Sequence, residues 1–438
     1  MKFKLISSLI LSMGLAVQAA EKEPLPSPLT LDYVLNLPAS MSPPVLARQA
    51  ALYKSQANLK EVQAQDGFAL SLQGRLGQRE FNGERQNHHL AALHFGLPLY
   101  DFGQTEKLSQ AWLLDAQAQS LAVEAAENEF RLMLMQAYFN VLLADMNYRV
   151  ENEAMAIAFV TLDKIREDHA LGRVADVKLY QYEKDYQQAF VTRQRAQANL
   201  RRSRMLLANT MGRADAVISR VELPQFANIP TDMERVEVYL EQAVTNNHEI
   251  LSLKHSQLAG QQRIGSAQAA KKPRFRADAW VGQLSSYPEV REGHWHAEVS
   301  MSMPLFDSGL IQSRVERERA QLQQAQAERM AAEQKVRQQV TDLFFQLSLL
   351  NVEQQAIDAS KIFAAFNMDY KRALYENEQQ SDFGDALVTI SQADYDALAF
   401  ELKRTLLWAQ MAFATGGDAS FIVQANQNKT KSEGSDSK

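Results

Sequence analysis

Two aspartates three residues apart, Asp382 and Asp385, would share one face of a helix near its start. Carboxylates so placed either cap the helix and complement its dipole, or present paired negative charge to passing cations. Both readings stay open on spacing alone. Four histidines, His88, His89, His294 and His296, fall at the turn ends of alternating segments. Two histidines one residue apart on a strand can ligate zinc or copper, but no carboxylate or thiolate completes a recognisable set. The polarity of a wet wall or loop accounts for them. There is no Gly-x-Ser-x-Gly, no His-Glu-x-x-His and no phosphate-cradling glycine loop. The expectation is therefore no enzyme, no catalytic residue, no cofactor and no metal.

What must position such residues starts with the N-terminus. Met1-Lys-Phe-Lys leads into a short apolar run from Leu5 to Val17 that closes on small residues, the layout of a secretory signal peptide. Val17 and Ala19 suit a cleavage after Ala19, so residues 1–19 are assigned as signal and the mature chain belongs in the periplasm or beyond. No cysteine occurs among the 438 residues, which excludes disulfides and a lipid-modified N-terminal cysteine. Beyond the signal no apolar run reaches the roughly 20 residues of a membrane-spanning helix. A net charge of −6 argues against a nucleic-acid partner.

Proline is missing from Leu99 to Leu223 and again from Leu305 to the C-terminus, which predicts very long helices. Val336, Val340, Leu343, Leu347 and Leu350 repeat at 4-3-4-3 spacing, as do Leu114, Ala118, Leu121 and Ala125, the seam of lengthwise-packed coiled coils. A single helix over residues 103–169 would be roughly 100 Å long. The chain is also doubled: Pro98-Leu-Tyr-Asp101-Phe-Gly103 reappears as Pro304-Leu-Phe-Asp307-Ser-Gly309, 206 positions on. The first repeat is placed at 29–212, with a helix, strands 68–81 and 88–98, and helices 103–169 and 176–211. A linker, 213–232, leads to the second repeat at 233–417, with a helix, strands 274–287 and 294–304, and helices 309–375 and 382–415. Residues 418–438 form a polar tail.

The strand segments alternate with period two. Phe68, Leu70, Leu72, Ala91, Leu93, Phe95, Phe275, Ala277, Ala279, Trp295, Val299 and Met301 share one parity, while Ser71, Gln73, Arg276, Asp278, His296, Glu298 and Ser300 share the other. Such strands are long enough to cross a membrane at a tilt. Four of them leave two open edges, which lipid does not tolerate, so an oligomer must close the barrel. A trimer supplies twelve strands and a pore. Tyr100 and Phe306 at the barrel exits, with Trp295 near the opposite rim, suit an interfacial aromatic girdle.

Taken with the Pro-Leu-Tyr/Phe-Asp passages and the paired aspartates, the sequence resembles the TolC-like outer-membrane efflux proteins of Gram-negative bacteria over nearly the whole mature chain. The resemblance implies a fold that is mostly α with a β-barrel portion: long coiled-coil helical hairpins plus four transmembrane β-strands per protomer, in two tandem structural repeats, forming a trimeric channel-tunnel. It implies an outer-membrane channel of a tripartite efflux pump or a type I secretion system, with its helical part in the periplasm. The partners implied are two further copies, a periplasmic adaptor, an inner-membrane ABC or proton-driven transporter and outer-membrane lipid. Ser381-Asp382-Phe-Gly-Asp385-Ala386 resembles the family's tip motif, whose aspartates narrow the tunnel, and makes Asp382 and Asp385 the periplasmic gate. Gly172, Arg173 and Asp176, with Ser381, mark the hairpin tips that would touch the adaptor, and Arg173 could reach a neighbouring protomer's acid. The passages Pro98, Asp101, Gly103 and Pro304, Asp307, Gly309 carry strand into helix. Glu376 or Glu378 replaces the family's turn glycine, and Ala373 and Glu378 replace an aromatic and an arginine that help latch the gate. The competing reading is a soluble periplasmic coiled-coil adaptor or scaffold.

Overall fold

The computed structural model describes residues 25–81, 83–87, 89–226, 229–230, 232–283, 294–376 and 383–417. The assigned signal peptide, Asn82, His88, Glu378, Ser381, Asp382 and the tail lie outside them. In chain order the elements are α1 (Leu31–Leu35), α2 (Pro43–Gln65), β1 (Ala69–Arg75), β2 (Gln78–Phe81), β3 (Glu84–Asn87), β4 (Leu90–Tyr100), α3 (Gln104–Ala170) and α4 (Asp176–Thr210). Then come α5 (Val236–Asn246), α6 (His248–Ala269), β5 (Arg274–Gln283), β6 (Trp295–Ser302), α7 (Leu310–Glu376) and α8 (Phe383–Ala414). No helix among the described residues is long and apolar enough to cross a membrane.

The duplication is metric as well as sequential, because α3 and α7 each run for 67 residues and are each followed by a shorter return helix. At about 1.5 Å per residue each long helix spans roughly 100 Å, so it packs in two stages. Near the sheet α3 lies against α2 and α6, and α7 against α6; farther out α3 packs on α4, and α7 on α8. The two hairpins touch through α3 and α8, giving the lateral order α4, α3, α8, α7.

The apolar seam Val336, Val340, Leu343, Leu347 and Leu350 is buried, and closes with Phe400, Leu407, Trp408 and Met411 of α8. The corresponding seam expected on α3 is less sharp. Ala118 is buried, but Leu114, Leu121 and Ala125 are only half-buried, and Asp115 is buried beside them. Asp115 pairs with Arg263 of α6, whose guanidinium also lies 5.3 Å from the Trp112 ring. That pair would be costly unpartnered, and it fixes how α6 meets α3.

A second core gathers Phe130, Leu134, Met135, Tyr138 and Leu142 of α3 with Leu200 and Leu207 of α4 and Val34 of α1. Tyr138 is fully buried, and its hydroxyl lies 2.9 Å from the Leu29 carbonyl and 2.5 Å from the Glu222 carbonyl. Burial pushes the pKa of this phenol above its ordinary value, so it stays a donor. It thereby binds the segment before α1 to the inter-repeat linker, which also meet in a bridge between Leu29 and Val221.

The strands form an open antiparallel sheet in the order β1-β4-β5-β6, with β2 and β3 as a separate two-stranded hairpin beyond it. The segment 68–81 is thus two strands rather than one, broken at Leu76 and Gly77. Each repeat contributes two strands, and β4 against β5 joins the repeats.

Candidate functional site

Register decides what the sheet presents. Leu72 opposes Leu93, Leu93 opposes Val281, and Val281 opposes Trp295, while Ala277 opposes Val299. The outward parity is therefore apolar across all four strands, and it is bare: Leu72 is 79% and Val299 67% exposed. In a folded chain such a continuous apolar patch marks a surface that contacts another protein or a membrane.

The opposite face is polar and internally paired. Ser71, His94, Trp280 and His296 stand in one row across β1, β4, β5 and β6. His94 stacks on Trp280 at 4.7 Å between centroids, and His296 lies 5.4 Å from the same indole. Trp280 donates to Gln73 at 3.1 Å. One step along the strands Asp278 opposes Glu298. Asp278 takes His94 at 2.8 Å and Arg276 at 2.9 Å, and Glu298 takes His296 at 3.1 Å. Like charges directly opposite would repel, and the two imidazoles and the guanidinium offset that. His94 and His296 are thus each paired within the polar face, and no group of three or more potential metal ligands occurs among the described residues.

Both passages from strand into long helix are built alike. Phe102 (φ 57°) and Gly103 (φ 79°) repeat as Ser308 (φ 54°) and Gly309 (φ 85°), two successive left-handed residues of the kind that make a type I′ turn. The aspartate before each turn holds the helix start. Asp101 accepts from the amides of Gly103 and Gln104 at 3.0 Å and from the Thr105 amide and hydroxyl at 2.7 and 2.6 Å. Asp307 accepts from Gly309 at 3.0 Å and Ile311 at 2.8 Å.

Burial favours a neutral Asp101, but the Thr105 hydroxyl and the three amides outweigh it and hold the carboxyl below the ordinary range. A carboxyl depressed in the fold contributes stability that is complete above its unfolded pKa and is lost as pH falls through the folded one. Asp101→Ala is therefore expected to lower stability by about 1 kcal/mol at pH 7. The gap between variant and wild type should narrow below about pH 4, where the unfolded carboxyl begins to protonate. Urea titrations of both proteins at neutral and acidic pH measure it, and a gap independent of pH would remove the carboxylate from this role.

At the far end, the α3–α4 turn closes on Gly172 (φ 72°), with the Gly172 amide on His169 and the Arg173 amide on Asp168, a Schellman arrangement. The turn is stapled by its own side chains. His169 meets Asp176 at 2.6 Å, Arg166 meets Glu183 at 2.6 Å, and Arg173 reaches Asp168 at 3.5 Å. Arg173 thus has an acid within its own hairpin. In the second hairpin Tyr375 stacks on Phe383 at 5.6 Å and draws the ends of α7 and α8 together. Asp385 is exposed in the first turn of α8. Gly384 beside it lies so close to α3 that an added Cβ would sit 2.5 Å from Ile157 Cγ2, and Ala386 is fully buried. Ser391 donates to Glu153 across the same α3–α8 contact.

Residues 239–417 match the family model described as Outer membrane efflux protein. That stretch is similar to the outer membrane efflux protein family. The whole chain has the fold of its TolC-like channels. It superposes on a membrane protein from Pseudomonas aeruginosa with a TM-score of 0.71 at 18% identity, covering 89% of each chain. The Campylobacter jejuni CmeC outer membrane channel gives 0.70 at 15% identity over 92% of this chain and 88% of that one. The open state of the Neisseria gonorrhoeae MtrE outer membrane channel gives 0.67 at 19% over 90% of both. No curated protein matches the chain by sequence.

Within this efflux-protein fold, the structure adds residues that motif reading passed over. Trp280 carries the parity of Asp278 and Arg276, so alternation alone could have placed it on the polar face. Tyr138 has no such signal, because its partners are carbonyls 109 and 84 residues away in the chain.

Proposed function

We propose that three copies of this chain close into an outer-membrane channel. It passively conducts substrates from an inner-membrane transporter and periplasmic adaptor, through a helical tunnel, to the exterior. The observation that carries the reading is the open four-stranded sheet, apolar outside and polar inside, standing on two helical hairpins. Its free edges are β1 and β6. Among the described residues, the helices at the ends of the lateral row also keep exposed apolar side chains, α7 beyond its contact with α5. α4 exposes Val177, Tyr180 and Phe190, and α7 exposes Phe345, Phe366 and Tyr370. Both sheet and hairpins therefore lack a neighbour on two unlike sides, the geometry of a head-to-tail contact that a rotation closes into a ring. Twelve strands leave room for a pore. A soluble adaptor would have no use for an apolar outer sheet face.

Asp382 and Asp385 are proposed as the gate, with six carboxylates converging in the trimer to concentrate cations at the tunnel entrance. Gly172, Arg173, Asp176 and Ser381 are proposed as the tips that meet the adaptor. The cargo follows the partners: a proton-driven pump would deliver small molecules or ions, and a secretion ABC transporter would deliver protein.

The test has two parts. The protein should fractionate with outer membranes and run as a trimer in mild detergent; recovery as a soluble periplasmic monomer overturns the channel. In planar bilayers it should be cation-selective, and replacing both Asp382 and Asp385 with alanine should shift the reversal potential toward zero and relieve multivalent-cation block. Unchanged selectivity and block would leave these two as ordinary helix-start aspartates.

A further inference from the structure

The two repeats differ where helix turns into strand. In the first, α2 reaches β1 through Asp66-Gly67-Phe68; in the second, α6 reaches β5 through Ala270-Lys271-Lys272-Pro273. The lysine turn lies between the two strand-to-helix passages. Lys272 Nζ is 5.6 Å from the centre of the Phe102 ring, and Lys271 Nζ is 3.4 Å from Gln312 Oε1, with its charge bearing on Asp307. Both lysines are exposed.

Around them the chain leaves a collar of large apolar side chains uncovered: Tyr100, Leu305 at 91% and Phe306 at 88% exposure. The collar continues the bare outer face of the sheet through Leu99, Met301 and Met303. An apolar wall ending in aromatic rings and then in exposed ammonium groups matches, in order, acyl chain, glycerol region and phosphate. At the equivalent turn of the first repeat Asp66 and Asp101 stand close enough for their charges to interact, so an anion is repelled there. The two repeats thus differ in charge at this turn, which carries lysines in the second and an aspartate in the first.

We propose that Lys271 and Lys272, with Tyr100 and Phe306, bind the headgroup of an anionic phospholipid in the periplasmic leaflet of the outer membrane. The proposal rests on the barrel reading above. Each lysine near an anionic surface is worth about fivefold in binding, and Lys272 contributes the larger part because Lys271 already faces Asp307.

The full-length protein, purified from mixed phosphatidylethanolamine and phosphatidylglycerol, is examined by native mass spectrometry for retained lipid. Wild type is expected to retain phosphatidylglycerol preferentially. Lys271→Gln with Lys272→Gln should reduce that preference by on the order of tenfold, and the paired arginine variant should keep it. Lys272→Gln alone, which leaves Lys271 beside Asp307, carries the test if the double variant assembles poorly. Equal retention by wild type and the glutamine variants overturns the lipid site while the channel stands. A protein never recovered from membranes overturns both. Loss of the preference when a second copy covers Leu305 and Phe306 would show instead that the collar is a subunit contact.

Discussion

Arginine at Val299 is expected to cost about 2–4 kcal/mol of membrane-inserted stability, whereas arginine at Ser300 is expected to be tolerated. The two positions are neighbours in β6 and face opposite ways. Val299 continues the outer apolar parity through its partner Ala277, and Ser300 opposes Arg276 on the polar face. In the proposed barrel a guanidinium on the outer face must enter hydrocarbon, while on the inner face it meets water and only the modest repulsion of Arg276 opposite, at most about 1 kcal/mol. The measurement is the urea midpoint of trimers refolded into vesicles. Equal tolerance at both positions would show that the outer parity does not face lipid.

The second large effect is expected at Gly384. Any side chain there collides with Ile157, whose branched carbons are 2.5 and 3.2 Å from the added Cβ. Overpacking of this kind costs about 1–3 kcal/mol. Because the contact joins the start of α8 to α3 beside Asp385, the strain should part the hairpins near the tips. Gly384→Ala is expected to raise resting conductance in planar bilayers and lower the thermal midpoint, and Ile157→Ala in the same chain should restore both by vacating the space. Such compensation is the signature of direct coupling. Additive effects of the two substitutions would mean that the hairpins do not depend on this contact.

Much of this architecture was readable beforehand, for identifiable reasons. Helix length follows from proline placement and strand faces from parity, and both are local. The repeated Asp-x-Gly passages advertise themselves because a left-handed pair needs glycine at its second position and a carboxylate to satisfy the helix start. The residue before each glycine gave no such sign: neither Phe102 nor Ser308 is a residue that favours positive φ. Strand order was less legible, since β4 pairs with β5 across the whole first pair of long helices, and only hydrogen bonding between repeats decides it. On α3 the heptad seam holds only in part. Ala118 obeyed the heptad, but Asp115 took a buried place that only Arg263, from another helix, makes tolerable. At the tips, Asp176 and Arg173 were visible as charges, while their partners His169 and Asp168 depend on the turn that brings them within reach.

The bare edges of β1 and β6 bear on how the chain reaches its working form. A strand edge is indifferent to the identity of what it pairs with, so a newly exported copy can meet another in more than one way. Pairing of like edges, β6 on β6, yields a two-fold dimer in which both partners present the same remaining edge, and no ring of three can grow from it. Pairing of unlike edges leaves a growing end of each kind and permits closure. For the three-copy channel proposed above, biogenesis is then a race between productive and dead-end encounters, in which crowding of fresh chains favours neither, and the apolar flanks of α4 and α7 would act as the sorting device by meeting only when the edges are unlike.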